Sequence, residues 1–413
     1  MEKEIQNLVE KLVFQKDLKA GEKIKKIALS KGIKLTSTQK LYEALARGEV
    51  SGFTVPAINI RTLTFDIARV ILRLAKKLKV GAFIFELARS EISYTDQKMS
   101  EYVPVILGAA LAEKFKGYLF FQGDHFQIKA EKFFNKSQKK EEIESLKNLI
   151  KESIENGVYN IDIDCSTLVK LEEKDLLRQQ KFNYQMTAEL TALIRNLQPK
   201  GITISVGGEV GEIGGRNSTP EDLEAFMTGY QEEIKKLKVS PGLIKVAVQT
   251  GTKHGGVVGP KGELIKVKLD FETLKKLSQE AKKYGMAGAV QHGASTLPEE
   301  YFDEFPKTGA VEIHLATAFQ NIVFDFMPED LREKIYSWLK KEMIKEKKEG
   351  QTEEQFLYET RKKALGPFKK EIWKMPQKAK EKIISALEEK FSLLFKKLGV
   401  IDTAGLIDKY YSN

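Results

Sequence analysis

The chain has one cysteine, Cys165, among 413 residues. A single thiol forms no internal disulfide and supplies no cysteine-based zinc site, so any metal chemistry has to use imidazoles and carboxylates. Histidine is scarce as well, with four residues in all, which makes their positions informative. Proline is sparse, at 11 positions, and glycine, at 30, is no more than ordinary, which excludes collagen-like and low-complexity chains. Long apolar runs are missing: the stretch at residues 103–112 is far too short to cross a bilayer. Met1-Glu2-Lys3-Glu4 is not followed by the apolar region of a secretory signal. These features predict a cytoplasmic, soluble protein with no membrane partner.

What remains is ample core material, 42% hydrophobic residues, beside 31% charged ones. The net charge of +10 comes from 68 basic and 58 acidic residues mixed along most of the chain. Mixed signs read as a solvated, Lys/Glu-rich surface of the kind common in thermophiles. No aromatic-basic motif or recognition helix accompanies the lysines, so no nucleic-acid partner is expected.

Residues 1–51 read as a helical extension, with Ile5, Leu8, Val9 and Leu12 at helical spacing. From residue 53 short β-rich runs alternate with amphipathic segments. Candidate strands fall at 53–60, 82–87, 118–122, 159–164, 203–206, 243–248, 287–291 and 310–315. Eight βα units match an α/β fold of the TIM (β/α)8 barrel type, and the turn Arg61-Thr62-Leu63-Thr64 lacks the glycines of a dinucleotide-binding sheet. The expected organisation is a barrel catalytic domain at 52–328 between helical extensions at 1–51 and 329–413, with disorder confined to residues near 345–352.

Barrel enzymes build their sites at the C-terminal ends of the strands. All four histidines fall there, on four different strands: His125 after Gly123-Asp124, His254 before Gly255-Gly256, His292 before Gly293-Ala294-Ser295, and His314 in Glu312-Ile313-His314. Three imidazoles with one open position suit zinc, iron, cobalt or nickel better than magnesium or calcium. Gly255, Gly256, Gly293, Ser295 and Thr317, at the ends of strands six to eight, suit a phosphate or similar anion.

The order of these motifs resembles the class II, metal-dependent fructose-bisphosphate aldolase family, over roughly residues 41–325. Gly123-Asp124-His125 resembles its Asp-His element and Ile163-Asp164-Cys165-Ser166 its Asp-Gly-Ser element. Glu209-Val210-Gly211-Glu212-Ile213-Gly214-Gly215 is similar to its Glu-Leu-Gly-x-x-Gly-Gly element. Gly251-Thr252-Lys253-His254-Gly255 and His292-Gly293-Ala294-Ser295 resemble the segments carrying the other metal ligands and the phosphate-binding residues, and Pro56-Ala57-Ile58-Asn59 resembles the first-strand Ala-Phe-Asn. The resemblance implies zinc, or another divalent ion such as cobalt or iron, on His125, His254 and His292. Asp164 and Glu209 would tune or temporarily bind the metal, and a monovalent cation is a further possible cofactor. Asp124 would be the acid/base, and Asn59, Gly255, Gly293, Ser295 and Thr317 would bind substrate and its phosphate. A metal ion acts there as a Lewis acid toward the enediolate left by carbon–carbon cleavage, while a carboxylate takes the hydroxyl proton.

The implied enzyme is a lyase of carbohydrate metabolism, in glycolysis and gluconeogenesis. It would reversibly cleave a ketose phosphate, by default fructose 1,6-bisphosphate, to dihydroxyacetone phosphate and an aldehyde, as a homo-oligomer of two or more chains. Departures bear on the substrate. His314-Leu315-Ala316-Thr317-Ala318 stands where the family reads Asn-Ile-Asp-Thr-Asp, Ala294 replaces a glycine, and Arg216-Asn217-Ser218 replaces an acidic pair. His314 is expected either to donate to the enediolate or to join the metal shell, and Glu212 either replaces the lost proton donor or faces solvent. The alternatives are an epimerase or an aldolase for another sugar on the same scaffold, a Schiff-base aldolase using Lys253, and a nucleic-acid binder using the C-terminal lysines.

Overall fold

The computed structural model describes residues 2–211, 216–251, 256–265 and 269–412. Eleven strands are present among these: β1 (Ile33–Thr36), β2 (Val55–Asn59), β3 (Ile84–Ala88), β4 (Gly117–Gln127), β5 (Asn160–Asp164), β6 (Ser205–Gly211), β7 (Lys245–Val248), β8 (Val257–Val258), β9 (Leu264–Ile265), β10 (Ala289–Gln291) and β11 (Glu312–Leu315). Strands β2 to β7, β10 and β11 pair in parallel, β11 returns to β2, and β4 joins β5, which closes an eight-stranded barrel surrounded by helices. The chain is a TIM barrel, as the eight alternating runs predict, and each run overlaps its strand, with β3, β4 and β6 extending past theirs.

The helices follow ordinary local rules. In the helix Thr64–Lys77, Phe65, Ile67, Ala68, Ile71, Leu72 and Ala75 are buried along one face, with Asp66 in the first turn and Lys76 and Lys77 in the last, matching the helix dipole. The helix Pro220–Leu237 opens on a reciprocal cap between Thr219 and Asp222. The strands β2, β3 and β5 are buried at every position, as expected where a parallel sheet is covered on both faces.

The extensions hold two surprises. Residues 1–51 contain a strand, β1, as well as helices; it pairs in parallel with the start of β4, on the edge that β5 takes further along. The four residues Ile33–Thr36 are too short to stand out in a helical neighbourhood. After β1, Thr38 donates through its backbone N–H and hydroxyl to Asn160 Oδ1, at 2.7 and 2.9 Å, and Ser37 Oγ reaches the Thr203 carbonyl at 2.5 Å. This segment therefore covers the N-terminal ends of β5 and β6. The stretch near 345–352, expected to be disordered, instead leads into a capped helix, Glu353–Thr360. Thr352 Oγ1 and Gln355 Nε2 tie it to the carbonyls of Pro260 and Val258, at 2.7 and 3.0 Å, so specific tertiary bonds override its charged composition. Among the described residues no helix is long and apolar enough to cross a membrane.

Candidate active site

Neighbouring residues of a regular strand point to opposite faces, so Asp124 and His125 would normally diverge. β4 breaks its register with β5 between Gly123 and Phe126, and His125 adopts φ 42°, a left-handed conformation rare outside glycine. The bulge turns both side chains toward the same mouth of the barrel. Gly123 makes room for it, because a Cβ there would lie 2.3 Å from the ring of Phe126.

His125 is oriented from behind. Its Nδ1 lies 3.0 Å from Asp164 Oδ2 and 3.0 Å from Glu209 Oε2. Asp164 is itself fixed by Gln127 Nε2 at 2.5 Å and by the N–H and Oγ of Ser166 at 3.1 and 2.7 Å. The rings of His125 and His292 are 4.1 Å apart between centroids, and those of His292 and His314 also 4.1 Å. Asp124 Oδ1 stands among them, 4.0 Å from His125 Nε2, 3.9 Å from His292 Nδ1 and 3.1 Å from His314 Nδ1. Burial works against ionising Asp124, but the three imidazoles, His125 foremost, hold it well below the usual carboxylate range. Burial would also lower His125, yet the charges of Asp124 and Glu209 raise it well above an ordinary histidine. Glu209 is pushed up to about 7 by burial and by Asp164. Carboxylates that draw positive charge onto imidazoles are what a divalent cation also satisfies, and ligand atoms of Asp124, His125 and His292 lie within 4.8 Å of one another.

Beneath this lies a charged layer inside the barrel. Lys245 is fully buried, with Nζ 2.6 Å from Glu312 Oε1, 2.9 Å from Asp162 Oδ1 and 2.7 Å from Gln122 Oε1. Gly207 leaves space for that pair, since a Cβ would sit 2.3 Å from Asp162 Oδ1. Glu312 accepts from Tyr42 of the N-terminal extension and from Gln122, and lies 2.7 Å from His314 Nε2. Burial would raise Glu312, but Lys245 and His314 bring it to about 2. Barrel interiors are ordinarily filled by branched apolar side chains, so a layer of ions marks a departure that packing alone does not require.

The cavity at the mouth measures 530 Å³ and is lined by Asn59, Asp124, His125, His292, Gly293, Ser295, His314 and Thr317, with Arg61, Arg89, Lys129 and Lys362 around it. Arg61 is held by Glu91 at 2.7 Å and donates to Thr317 Oγ1 at 3.3 Å. Asn59 donates to the same Glu91. Thr317 opens the helix Thr317–Phe326, and Ser295 Oγ accepts from the Ala318 N–H at 3.3 Å. Lys362, from the C-terminal extension, is held below an ordinary lysine by burial and by the nearby Arg61. Hydroxyls, a helix N-terminus and two cationic side chains are the materials of an anion site.

Of the residues singled out in the sequence, Asn59, Asp124, His125, Asp164, Glu209, His292, Gly293, Ser295, His314 and Thr317 gather at this one end of the barrel. His254, Gly255, Lys253 and Glu212 lie outside the described residues. Sequence reasoning passed over Glu86, Lys245 and Arg61, and gave Asp162 and Glu312 no role. The available signal was an isolated charge inside an apolar strand, as in Ile84-Phe85-Glu86-Leu87 and Ile244-Lys245-Val246. Cys165 is buried, and its thiol is pushed above its ordinary value by burial and by Asp164.

A closed parallel barrel with carboxylates and imidazoles gathered at its C-terminal mouth has its polar residues where barrel enzymes build their sites. The model of the family "Fructose-bisphosphate aldolase class-II" matches residues 39–396, and the chain belongs to that family. No curated protein matches it. Among solved structures it is similar to fructose-bisphosphate aldolase from Campylobacter jejuni, at 17% identity, 90% of this chain, 96% of that one and a TM-score of 0.51. It is also similar to the YdjI aldolase from Escherichia coli K12, at 13% identity, 88% and 98% coverage and a TM-score of 0.50. Fructuronate-tagaturonate epimerase UxaE from Cohnella laeviribosi aligns at 11% identity over 84% of this chain and 82% of that one, with a TM-score of 0.60. At such identities these likenesses concern the fold.

Proposed function

We propose that the chain is a divalent-metal-dependent aldolase that cleaves a phosphorylated ketose to dihydroxyacetone phosphate and an aldehyde, with fructose 1,6-bisphosphate the default substrate. The observation that carries this reading is that one cavity joins an ionised carboxylate, Asp124, and two adjacent imidazoles to an anion-binding wall of Ser295, Thr317, Arg61 and Lys362. His125 and His292, with His254, would hold the metal, which when bound supplies Lewis-acid polarisation of the ketone. Asp164 and Glu209 keep the His125 ring turned toward the centre. Asp124, with its carboxylate held ionised, accepts the proton of the hydroxyl at the bond being cleaved and returns it in the reverse direction. Ser295, Thr317 and Gly293 bind one phosphate, while Arg61 and Lys362 draw the anionic substrate into the mouth.

Epimerisation is the second reading. It needs a further proton-transfer group beside the first, and Glu86 supports it: burial pushes this carboxyl up to about 7, and it lies 3.0 Å from His314 Nδ1. The test is product analysis on a panel of ketose phosphates and uronates, with metal content measured before and after chelation and restoration. Cleavage of fructose 1,6-bisphosphate that is lost with the metal and returns with it supports the aldolase. Stereochemical inversion without cleavage replaces it with the epimerase, and activity indifferent to chelation rejects both.

A further inference from the structure

Six carboxylates, Glu86, Asp124, Asp162, Asp164, Glu209 and Glu312, meet the two imidazoles of His125 and His314 inside this barrel. Lys245 is the fixed cation among them, and its ammonium is already committed to Asp162, Glu312 and Gln122. With one divalent ion at His125 and His292, the six carboxylates still outnumber the fixed positive charges whenever they are ionised, and burial accordingly pushes Glu86 and Glu209 up to about 7. Unpaired buried charge is costly enough that such a surplus has to be neutralised.

The geometry says where. His314 Nδ1 lies 3.0 Å from Glu86 Oε2 and 3.1 Å from Asp124 Oδ1, yet it makes no hydrogen bond to either, and Asp124 Oδ1 has no hydrogen-bond partner. All three side chains are at least nine-tenths buried. At those separations only direction can fail, so the in-plane axis of Nδ1 passes beside both oxygens. The other nitrogen is engaged: Glu312, neutralised by Lys245, can only accept, so Nε2 carries the hydrogen of the 2.7 Å contact and Nδ1 is the nitrogen at which a cation can take the place of a proton. A carboxylate that fixes the far nitrogen of an imidazole is the usual support of a metal-ligating histidine. Separations near 3 Å are also those of adjacent ligands around an octahedral ion with bonds of roughly 2.1 Å.

We propose that Glu86, Asp124 and His314 form a second cation site, next to the one at His125 and His292, for a divalent ion that accepts mixed nitrogen and oxygen ligands, such as Mn2+ or Zn2+. Asp124 Oδ1 is common to both sites, and its other oxygen is free to exchange protons. The second ion neutralises the deep carboxylates and holds Asp124 in place. The inference stands on the buried cluster and does not depend on which reaction follows.

The experiment is metal stoichiometry on full-length protein saturated with Mn2+ or Zn2+ and freed of excess, read by elemental analysis and accompanied by circular dichroism. Wild type is expected to hold two ions per chain. Glu86→Gln and His314→Asn are each expected to hold one, as is His125→Ala by loss of the other ion. Anomalous scattering from Mn2+-soaked wild-type crystals gives a reading that needs no variant, with a peak expected between Glu86 and His314. A single ion in wild type and no anomalous peak at Glu86 overturns the second site. Two ions that both survive His125→Ala would instead refute the assignment of the first site and leave the second standing.

Discussion

Replacing Gly123 by alanine puts a methyl group into the ring of Phe126 and tests the bulge directly. Overpacking of this kind costs about 1–3 kcal/mol, and the expected result is a lower midpoint in urea denaturation together with weaker metal retention, since Asp124 and His125 move with the bulge. Asp124→Asn keeps the shape and removes the base. It is expected to lower kcat by about 100-fold to 10,000-fold with the metal content retained, which single-turnover kinetics and elemental analysis check together. At this scale much of the site was legible. Asp124, His125, His292, Ser295 and Thr317 are polar residues at strand ends, where a barrel puts its chemistry. The left-handed turn at His125 was not legible, because a bulge is set by pairing with another strand. Glu86 and Lys245 were missed because one charge in an apolar run has no local partner; their partners are 36 to 228 positions away in the chain.

Among elements, the eight barrel strands announced themselves through their apolar runs, and only their bounds shifted. β4 proved longer than the run 118–122 suggests, and β1 went unseen, since four residues whose pairing partner is distant carry little periodic signal. Groups on short 3-10 turns, such as Lys362 in Arg361–Ala364, were equally hidden. The extensions meet at an ion cluster: Glu101, buried in the helix Met99–Ala112, lies 2.5 Å from the buried Lys369 Nζ and 3.1 Å from Nζ of the half-exposed Lys16. Burial pushes the Glu101 carboxyl up and lowers Lys369, so each needs the other's charge. Glu101→Ala strands a buried ammonium and is expected to destabilise the fold by about 3 kcal/mol, measured by denaturant unfolding. A change below 1 kcal/mol would show that solvent already reaches the pair.

On the scale of the whole molecule, the N-terminal and C-terminal regions both reach into the barrel. The first sends Tyr42 to Glu312 at the barrel's base, and the second sends Lys362 to its mouth. Because Lys362 is held below an ordinary lysine, it stays charged at low pH and loses its proton earlier than usual as pH rises. KM for a phosphorylated substrate is therefore expected to climb on the alkaline side, and Lys362→Met to raise KM at neutral pH and flatten that climb. An unchanged alkaline limb in the variant would remove Lys362 from substrate binding. The charged layer beneath the site has one more consequence. Gln122, bonded to Lys245, Glu86 and Glu312 inside a closed ring of strands, gives up its amide hydrogens to deuterated water only when the ring itself comes apart. Its side-chain signal is therefore an internal clock for barrel opening, and its rate is expected to follow global unfolding while surface glutamines exchange at once.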